Sequence, residues 1–196
     1  FGEAVPKEEA RRHLGLPANE KIILFFGFIR KYKGLDLLLE AMSILKNFKP
    51  QTVNIKLLVA GEFYEDEKPF REQIEKLGIK DQLILRTDFI PDSEVKYYLC
   101  AADAVIQPYQ NTTQSGVTPL AYHFEKPMVV TNVGGLPSLV PDGKVGLVVE
   151  PEPSAIADGI LKFYQLGENY FIPHLRNEKL KYSWANLAKA IQCLAG

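Results

Sequence analysis

Three cations lie within four residues just after the first apolar run of the chain. Arg30, Lys31 and Lys33 stand between Gly27 and Gly34, directly before a stretch with helical spacing. Gly27 would let a ligand approach the backbone, and Gly34 would relax the chain where the helix begins. Helix N-termini attract anions, and arginine and lysine add charge-assisted hydrogen bonds. The segment therefore indicates either a clamp for a diphosphate or a solvated basic loop, and by itself it favours neither.

A second segment, residues 108–119, is rich in hydroxyl and amide groups and leads into another helix. Its backbone amides could hold a phosphate or sugar hydroxyls, and a plain connecting loop is the alternative. Local rules favour Thr118 as the residue that caps the helix, with Pro119 at the first helical position. A start near Gly116 would be locally unfavourable because a residue before proline avoids the helical conformation. Such a local conflict is often a mark of function.

A third segment contains the glycine pair Gly134 and Gly135. It indicates either close approach of a ligand to the backbone or a tight turn, and taken alone it slightly favours the turn.

Several other chemistries lack their motifs. The sequence has no dinucleotide-binding or phosphate-loop glycine pattern, no nucleophile elbow, no Asp-x-Asp pair for a metal on a diphosphate, and no metal-ligand spacing among its histidines and cysteines.

Short apolar runs alternate with amphipathic stretches along the chain, which predicts a doubly wound parallel α/β sheet of the Rossmann-like type. In such sheets ligands bind at the carboxyl ends of the strands. All three segments above follow predicted strands. The predicted strands are 21–28, 53–60, 83–89, 103–108, 127–131 and 145–149; the predicted helices are 7–14, 34–48, 66–77, 92–102, 116–125 and 153–166, with one or two more in 168–195, the last capped by Ser183.

Composition sets further bounds. The chain has 196 residues, 46% of them hydrophobic, and a net charge of -1, which gives no bulk attraction to nucleic acid. Cys100 and Cys193 are predicted to be buried free thiols, as in a reducing, cytoplasmic compartment. No apolar run is long enough to cross a bilayer, and none has the pattern of a signal peptide. The chain begins at Phe1 without a methionine, and we expect it to be a piece of a longer protein.

Four ordered stretches, GFIRKYKGLDLLLEA, LLVAGE, FIPDSEVKYYLCAADAVIQPY and KPMVVTNVGGLP, resemble glycosyltransferase family 4, the "glycosyl transferases group 1" domain. The resemblance implies the C-terminal half of a GT-B enzyme, with residues 1–20 as a linking segment and 21–196 as the nucleotide-sugar-binding domain. It implies a retaining, metal-independent hexosyltransferase of polysaccharide or glycolipid synthesis that uses a UDP-sugar or GDP-sugar without a further cofactor. The acceptor would be bound by a preceding N-terminal domain, through which the full-length protein can also associate with membranes, and without which the fragment is expected to be inactive.

Site residues carry over by position. Lys33 matches the family lysine that neutralises the donor diphosphate. The preceding family arginine falls on Phe28, and Arg30, two residues away, is the predicted substitute. Lys33 and Arg30 are therefore the predicted catalytic residues. The predicted donor-binding residues, taken from the resemblance and from the polar segment together, are Gly27, Gly61, Ile90, Pro91, Thr112, Gln114, Ser115, Gly116 and Val117, and no metal ligand is predicted.

The most diagnostic family motif departs here. Its two glutamates fall on Thr112 and Leu120, and neither residue can act as a carboxylate. Thr112, Gln114 or Ser115 could bond a sugar as neutral groups, whereas Leu120 cannot bond the ribose. The loss of both glutamates motivates an alternative, a non-catalytic domain that binds a nucleotide or a sugar for regulation. A flavodoxin-like or receiver domain is disfavoured, because the strand ends carry glycines, lysine and hydroxyls instead of an acidic cluster.

Overall fold

The computed structural model describes residues 1–48 and 54–182, which contain a single six-stranded sheet. All strands are parallel, in the order β3-β2-β1-β4-β5-β6. This order confirms the predicted doubly wound sheet. Every predicted strand is present, and each is shorter than expected. The strands are β1 (Lys21–Phe26), β2 (Ile55–Ala60), β3 (Leu83–Arg86), β4 (Ala104–Gln107), β5 (Met128–Thr131) and β6 (Gly146–Val149).

The helices also follow the prediction, with one addition. A short helix begins directly after Gly135, where the glycine pair indicated only a turn or a ligand contact; Pro137 lies in its first turn. The predicted cap Ser183 and Cys193 lie outside the described residues. The helices are α1 (Lys7–His13), α2 (Leu35–Asn47), α3 (Lys68–Leu77), α4 (Asp92–Ala101), α5 (Val117–His123), α6 (Leu136–Leu139), α7 (Pro153–Leu166) and α8 (Glu168–Lys179).

The core lies on both faces of the sheet. All residues of β4 and β5, the four middle residues of β1 and all residues of β2 except Lys56 are buried, as expected for strands covered by helices on each side. On one face α2 contacts both α3 and α7, while α1 contacts α4. Each buried leucine or isoleucine contributes about 1.5–3 kcal/mol relative to an exposed one, so the apolar runs that predicted the strands also supply most of the stability of the sheet.

A partly buried carboxylate ties the linking segment to the sheet. Asp103, just before β4, accepts hydrogen bonds from Lys7 Nζ at 2.8 Å and from an Arg11 guanidinium nitrogen at 3.1 Å. Its other oxygen accepts from the Ile22 amide at 2.8 Å and the Tyr164 hydroxyl at 3.1 Å. Burial, reinforced by the Asp103 charge, raises the pKa of Tyr164 far above its usual value. Residues 1–20 are therefore anchored onto the sheet through α1.

Two smaller predictions concern the surroundings of the chain. Cys100 is a buried free thiol, and burial raises its pKa, which confirms the prediction for that cysteine. Within residues 1–48 and 54–182, no helix combines the length and apolar character needed to span a bilayer.

The strand order reverses between β1 and β4, which are neighbours in the sheet although β2 and β3 intervene in sequence. Loops that leave two such strands run in opposite directions and open a crevice at the carboxyl edge of the sheet. Here those loops are 27–34 and 108–116, which belong to the first two of the three segments whose residue types indicated chemistry.

Candidate functional site

The loop after β1 turns back on itself over the end of the sheet. Gly27 has φ of +92° and Gly34 has φ of +69°, in the left-handed region that favours glycine. Between them Lys31–Lys33 form one 3-10 turn, and α2 follows at once. The ammonium of Lys33 lies 3.3 Å from the point that a Cβ on Gly27 would occupy. The absence of that Cβ leaves room for the lysine above the end of β1.

The loop after β4 packs directly on this first loop. The Gln110 amide donates to the Tyr32 carbonyl at 2.8 Å, and the Gln110 side-chain amide donates to the Asp36 carboxylate at 2.9 Å. A Cβ on Gly34 would lie 1.9 Å from the Pro108 carbonyl oxygen. Only glycine permits this approach, so Gly34 serves loop docking as well as the start of α2.

The glycine pair after β5 supports the second loop from its other side. A Cβ on Gly134 would lie 1.6 Å from the Thr112 carbonyl oxygen, and one on Gly135 would lie 2.6 Å from that of Thr113. The close approach that paired glycines allow is thus to the chain's own backbone. The loop 108–116 is held between two glycine-lined surfaces, which fixes where α5 begins.

Helix α5 begins at Val117, with Gly116 already in the right-handed helical conformation. Of the two starts that the sequence left open, the start near Gly116 is therefore confirmed and the cap at Thr118 is wrong. Ser115 takes part of that role, because its hydroxyl oxygen accepts from the Val117 amide at 3.2 Å and pairs with the Tyr109 hydroxyl at 3.1 Å. The buried Thr118 hydroxyl instead contacts the Gln107 side-chain carbonyl at 3.1 Å, which compensates for its place inside the first turn.

A cavity of about 240 Å³ lies between the two loops. It is lined by Lys33, one of the two predicted catalytic residues, and by five of the predicted donor-binding residues. A larger cavity of about 430 Å³ beside α5, α6 and α8 contains none of them. The smaller cavity is therefore the candidate site. Its lining residues are Phe26, Gly27, Phe28, Tyr32, Lys33, Tyr109, Gln114, Ser115, Gly116, Val117 and Leu120.

The electrostatics of this cavity centre on Lys33. Burial and, second, the nearby charge of Arg30 lower the pKa of Lys33 to about 8. None of the ion pairs found in the described part of the chain includes Lys33. Its ammonium is 6.0 Å from the centroid of the Tyr109 ring, and burial raises the pKa of Tyr109 to about 12. A half-buried lysine without an anionic partner is suited to bind an anionic ligand.

The remaining predicted residues do not line the cavity. The Arg30 guanidinium lies 4.0 Å from the centroid of the Tyr64 ring, and its buried Nε has no hydrogen-bond partner among the described residues. A Cβ on Gly61 would lie 2.5 Å from the Gly27 carbonyl oxygen, so Gly61 supports the first loop from below. The Thr112 hydroxyl donates to the Gln114 carbonyl at 2.7 Å. Ile90 is half-buried and Pro91 is exposed ahead of α4.

Three aromatic lining residues were not among the predicted site residues. Phe26 ends an apolar strand, and Tyr32 and Tyr109 stand among polar residues of the two loops. The Tyr32 and Tyr109 rings meet edge to face, with centroids 6.1 Å apart. Their position next to the predicted cations and hydroxyls is the only hint that the sequence offers.

The profile of the family described as "Glycosyl transferases group 1" matches residues 6–176 of this chain. The chain belongs to this glycosyltransferase family. Among its relatives is a D-inositol 3-phosphate glycosyltransferase from Corynebacterium urealyticum, 32% identical over 191 residues, which cover 94% of this chain and 45% of the relative. An uncharacterized glycosyltransferase of Methanocaldococcus jannaschii is 31% identical over 186 residues, covering 91% of this chain and 45% of that one. This glycosyltransferase chain thus spans about half the length of these relatives.

Solved structures agree on the fold of this group 1 glycosyltransferase. Anabaena HepE in complex with UDP superposes with a TM-score of 0.82 at 20% identity, over 96% of this chain and 52% of HepE. The C-terminal domain of the Francisella tularensis group 1 glycosyltransferase LpcC gives a TM-score of 0.73 at 21% identity, over 91% of this chain and 92% of that domain. The neighbours are glycosyltransferases of the GT-B architecture, as the sequence stretches predicted.

Proposed function

We propose that the cavity between the two loops binds the diphosphate of a nucleoside diphosphate sugar, UDP-linked or GDP-linked. In this proposal the chain is the donor-binding part of a retaining hexosyltransferase that needs no metal. One observation carries the proposal. Lys33 is half-buried at the switch point of the sheet and has no ion-pair partner in the described part of the chain, and Gly116, at the start of α5, lines the same cavity.

The chemistry asked of this site is the stabilisation of a leaving group. When the bond between the sugar carbon and the phosphate oxygen breaks, negative charge grows on the departing diphosphate. The Lys33 ammonium would donate charge-assisted hydrogen bonds to it, in a partly desolvated site where such bonds are strongest. Ser115 already accepts from the Val117 amide. The Gly116 amide, which has no hydrogen bond within the described residues, would be the second donor.

Independence of metal is part of the proposal, and it rests on the family resemblance. Lysine and backbone amides would then supply the positive charge that a metal supplies elsewhere. Retention of configuration rests on the family resemblance. A chelator such as EDTA should leave donor binding unchanged.

The known ligands of a structural neighbour support the choice of donor. The HepE structures are complexes with UDP and with UDP-glucose. Because the present chain spans about half of its relatives, we assign the acceptor to the portion of the relatives that it does not cover. Transfer by the chain as given is therefore not expected.

The test is calorimetric titration of the chain with UDP, GDP and their glucose and mannose conjugates. We expect at least one nucleotide to bind, and Lys33→Met to weaken it by at least tenfold. Lys31→Met is the matched control, because Lys31 lies in the same turn but outside the cavity. Failure of every nucleotide to bind at millimolar concentration, or equal losses in both variants, would contradict the proposal.

A second function, nucleotide binding without catalysis, is favoured by one observation. Leu120 lines the cavity at the position where the family motif has a glutamate. Transferase activity, measured on a longer protein that also includes the part of the relatives not covered here, would decide between catalysis and binding alone. Nucleotide binding with no turnover of any donor, in the presence of a range of acceptors, would favour the regulatory function.

A further inference from the structure

Two cations of the loop after β1 lie close together without an acidic partner. Neither Arg30 nor Lys33 takes part in an ion pair within residues 1–48 and 54–182. The Arg30 guanidinium rests over the Tyr64 ring, and the charge of Arg30 acts on Lys33. Two like charges held near each other are unfavourable, so an anionic ligand between them would stabilise this loop.

Lys33 also has the surroundings of a nucleophilic amine. The residues that line its cavity include no aspartate or glutamate, and the missing Cβ of Gly27 leaves room around the ammonium. The charged or titratable groups around it are Arg30 in its own loop and the hydroxyls of Tyr32 and Tyr109 in the same cavity. Burial, and second the Arg30 charge, lower the pKa of Lys33 to about 8. A lysine that is desolvated beside another cation keeps part of its amine neutral, and the neutral amine is the nucleophile.

Lys31, in the same turn, lies in opposite surroundings. It is exposed and borders a separate cavity of about 500 Å³. The acidic residues that line this second cavity are Asp36, Glu40, Glu65 and Asp66. Carboxylates repel an anionic reagent, whereas the acid-free cavity of Lys33 attracts one. A small electrophile that carries a phosphate should therefore distinguish between two lysines of a single turn.

We propose that Lys33 is a modification site, which small acyl phosphates acylate without the help of an enzyme. The phosphate of the reagent lies beside the Arg30 guanidinium, and the neutral amine of Lys33 attacks the acyl carbon. The new N–C bond forms, the C–O bond to the phosphate breaks, and inorganic phosphate leaves with the proton that the amine gives up. The product is an uncharged amide.

Acylation removes the positive charge that the proposed function assigns to diphosphate binding. This consequence rests on the nucleotide binding proposed above, whereas the acylation itself does not. An acylated chain should lose affinity for the nucleotide as Lys33→Met does. The concentration of acyl phosphate would then regulate the fraction of chains that can bind a nucleotide.

The experiment incubates the wild-type chain with acetyl phosphate at pH 7.5 and follows the acetylation of each lysine by mass spectrometry of digests. We expect Lys33 to react at least tenfold faster than Lys31. The neutral fraction of Lys33 exceeds that of a lysine with the ordinary pKa of 10.5 by roughly two orders of magnitude, and its cavity attracts the phosphate. With the N-hydroxysuccinimide ester of acetic acid, an uncharged reagent, the ratio of the two rates should be smaller.

Two variants test the part played by Arg30. In Arg30→Gln the ratio of the Lys33 rate to the Lys31 rate with acetyl phosphate should fall toward the ratio with the uncharged reagent. Lys31→Gln, which removes a charge from the same turn, is the matched control and should leave the Lys33 rate within twofold of wild type. An unchanged ratio in Arg30→Gln, shown to be folded by circular dichroism, would overturn the role of Arg30.

A pH series on the wild-type chain gives a second readout, which does not depend on the folding of any variant. The Lys33 rate should level off above about pH 8, where its amine is already neutral. The rate of a lysine in an unstructured peptide should keep rising toward pH 10. A Lys33 rate that rises in parallel with the peptide would overturn the inference.

Added nucleotide separates this inference from the proposed function. A Lys33 rate less than tenfold above the Lys31 rate, without nucleotide, would overturn the modification site whether or not nucleotides bind. Fast acetylation of Lys33 that UDP or GDP slows, with the Lys31 rate unchanged, would support both proposals. Fast acetylation that no nucleotide slows would support the modification site and count against nucleotide binding in this cavity.

Discussion

The Thr112 carbonyl oxygen lies 1.6 Å from the point that a Cβ on Gly134 would occupy. Loop 108–116 therefore rests on a glycine that no other residue can replace without movement. Because the same loop carries Gln114, Ser115 and Gly116 into the cavity, the shape of the site depends on a backbone contact between segments that follow different strands.

Gly134→Ala should destabilise the chain and weaken ligand binding together. Gly134 has φ of +53° and Gly78 has φ of +63°, but a Cβ on Gly78 would meet nothing within 4 Å. Gly78→Ala thus isolates the conformational cost, about 1–2 kcal/mol. We expect Gly134→Ala to cost more in chemical denaturation and to weaken nucleotide binding. Equal losses of unfolding free energy in the two variants would mean that loop 108–116 moves aside without an energetic cost.

The charge on Lys33 should make stability depend on pH. Its pKa is about 8 in the folded chain against an ordinary value of 10.5, so between these pH values the unfolded chain holds more protons. The free energy of unfolding therefore rises between pH 8 and 10.5. The destabilisation caused by the partly buried Lys33 charge is fully present below pH 8 and is lost as the ammonium deprotonates. Lys33→Met should be more stable than wild type at pH 7, on the order of 1 kcal/mol after screening. The difference should shrink toward pH 10.5 in urea titrations.

The protonation state of Lys33 should also control nucleotide binding. A diphosphate needs the charged form of Lys33, so affinity in the wild-type chain should fall as pH rises above about 8. Calorimetry from pH 6.5 to 9.5 would follow this, and in Lys33→Met the dependence should be reduced. A pH dependence that survives unchanged in the variant would assign the proton to another group.

The Tyr109–Ser115 pair offers a test of the α5 start. Ser115→Ala would leave both the Tyr109 hydroxyl and the Val117 amide without their shared partner. An unpaired buried polar group costs about 1–3 kcal/mol. Tyr109→Phe removes one hydroxyl alone and should cost about 0.5–1.5 kcal/mol. The double variant should lose less unfolding free energy than the sum of the two single losses, as measured by denaturation of all four proteins in a double-mutant cycle. Strict additivity would show that the pair does not act as a unit.

Asp103 should matter to stability and not to the ligand. Its carboxylate serves four donors away from the cavity. Asp103→Ala removes the carboxylate partner of the buried Arg11 guanidinium and the acceptor of the Ile22 amide and the Tyr164 hydroxyl, and it should cost about 3–5 kcal/mol of unfolding free energy. Asp81→Asn is the control, since the Asp81 side chain is 68% exposed in its pair with Lys46 and should change stability by less than about 1 kcal/mol. Nucleotide affinity of folded Asp103→Ala should match wild type.

The sequence by itself determined the sheet, its parallel direction and the loops that hold the site. Apolar runs such as 21–26 and 55–60 are long enough to be buried on both faces, and their alternation with helices admits few topologies. Lys33, Gly27 and the segment around Gly116 were predictable for the same reason, since residues that follow parallel strands gather at one edge.

Only the tertiary structure decided how the loops meet. Whether Gly34 and Gly134 accommodate a ligand or the chain's own carbonyls depends on residues Pro108 and Thr112, which are distant in sequence. The start of α5 at Val117 overrides the local preference for Thr118, because Gln107 at the end of β4 supplies a partner for the buried Thr118 hydroxyl that no local rule contains. Local propensity acts over a few residues, whereas a cavity wall is made where distant segments touch, and that contact is set by packing.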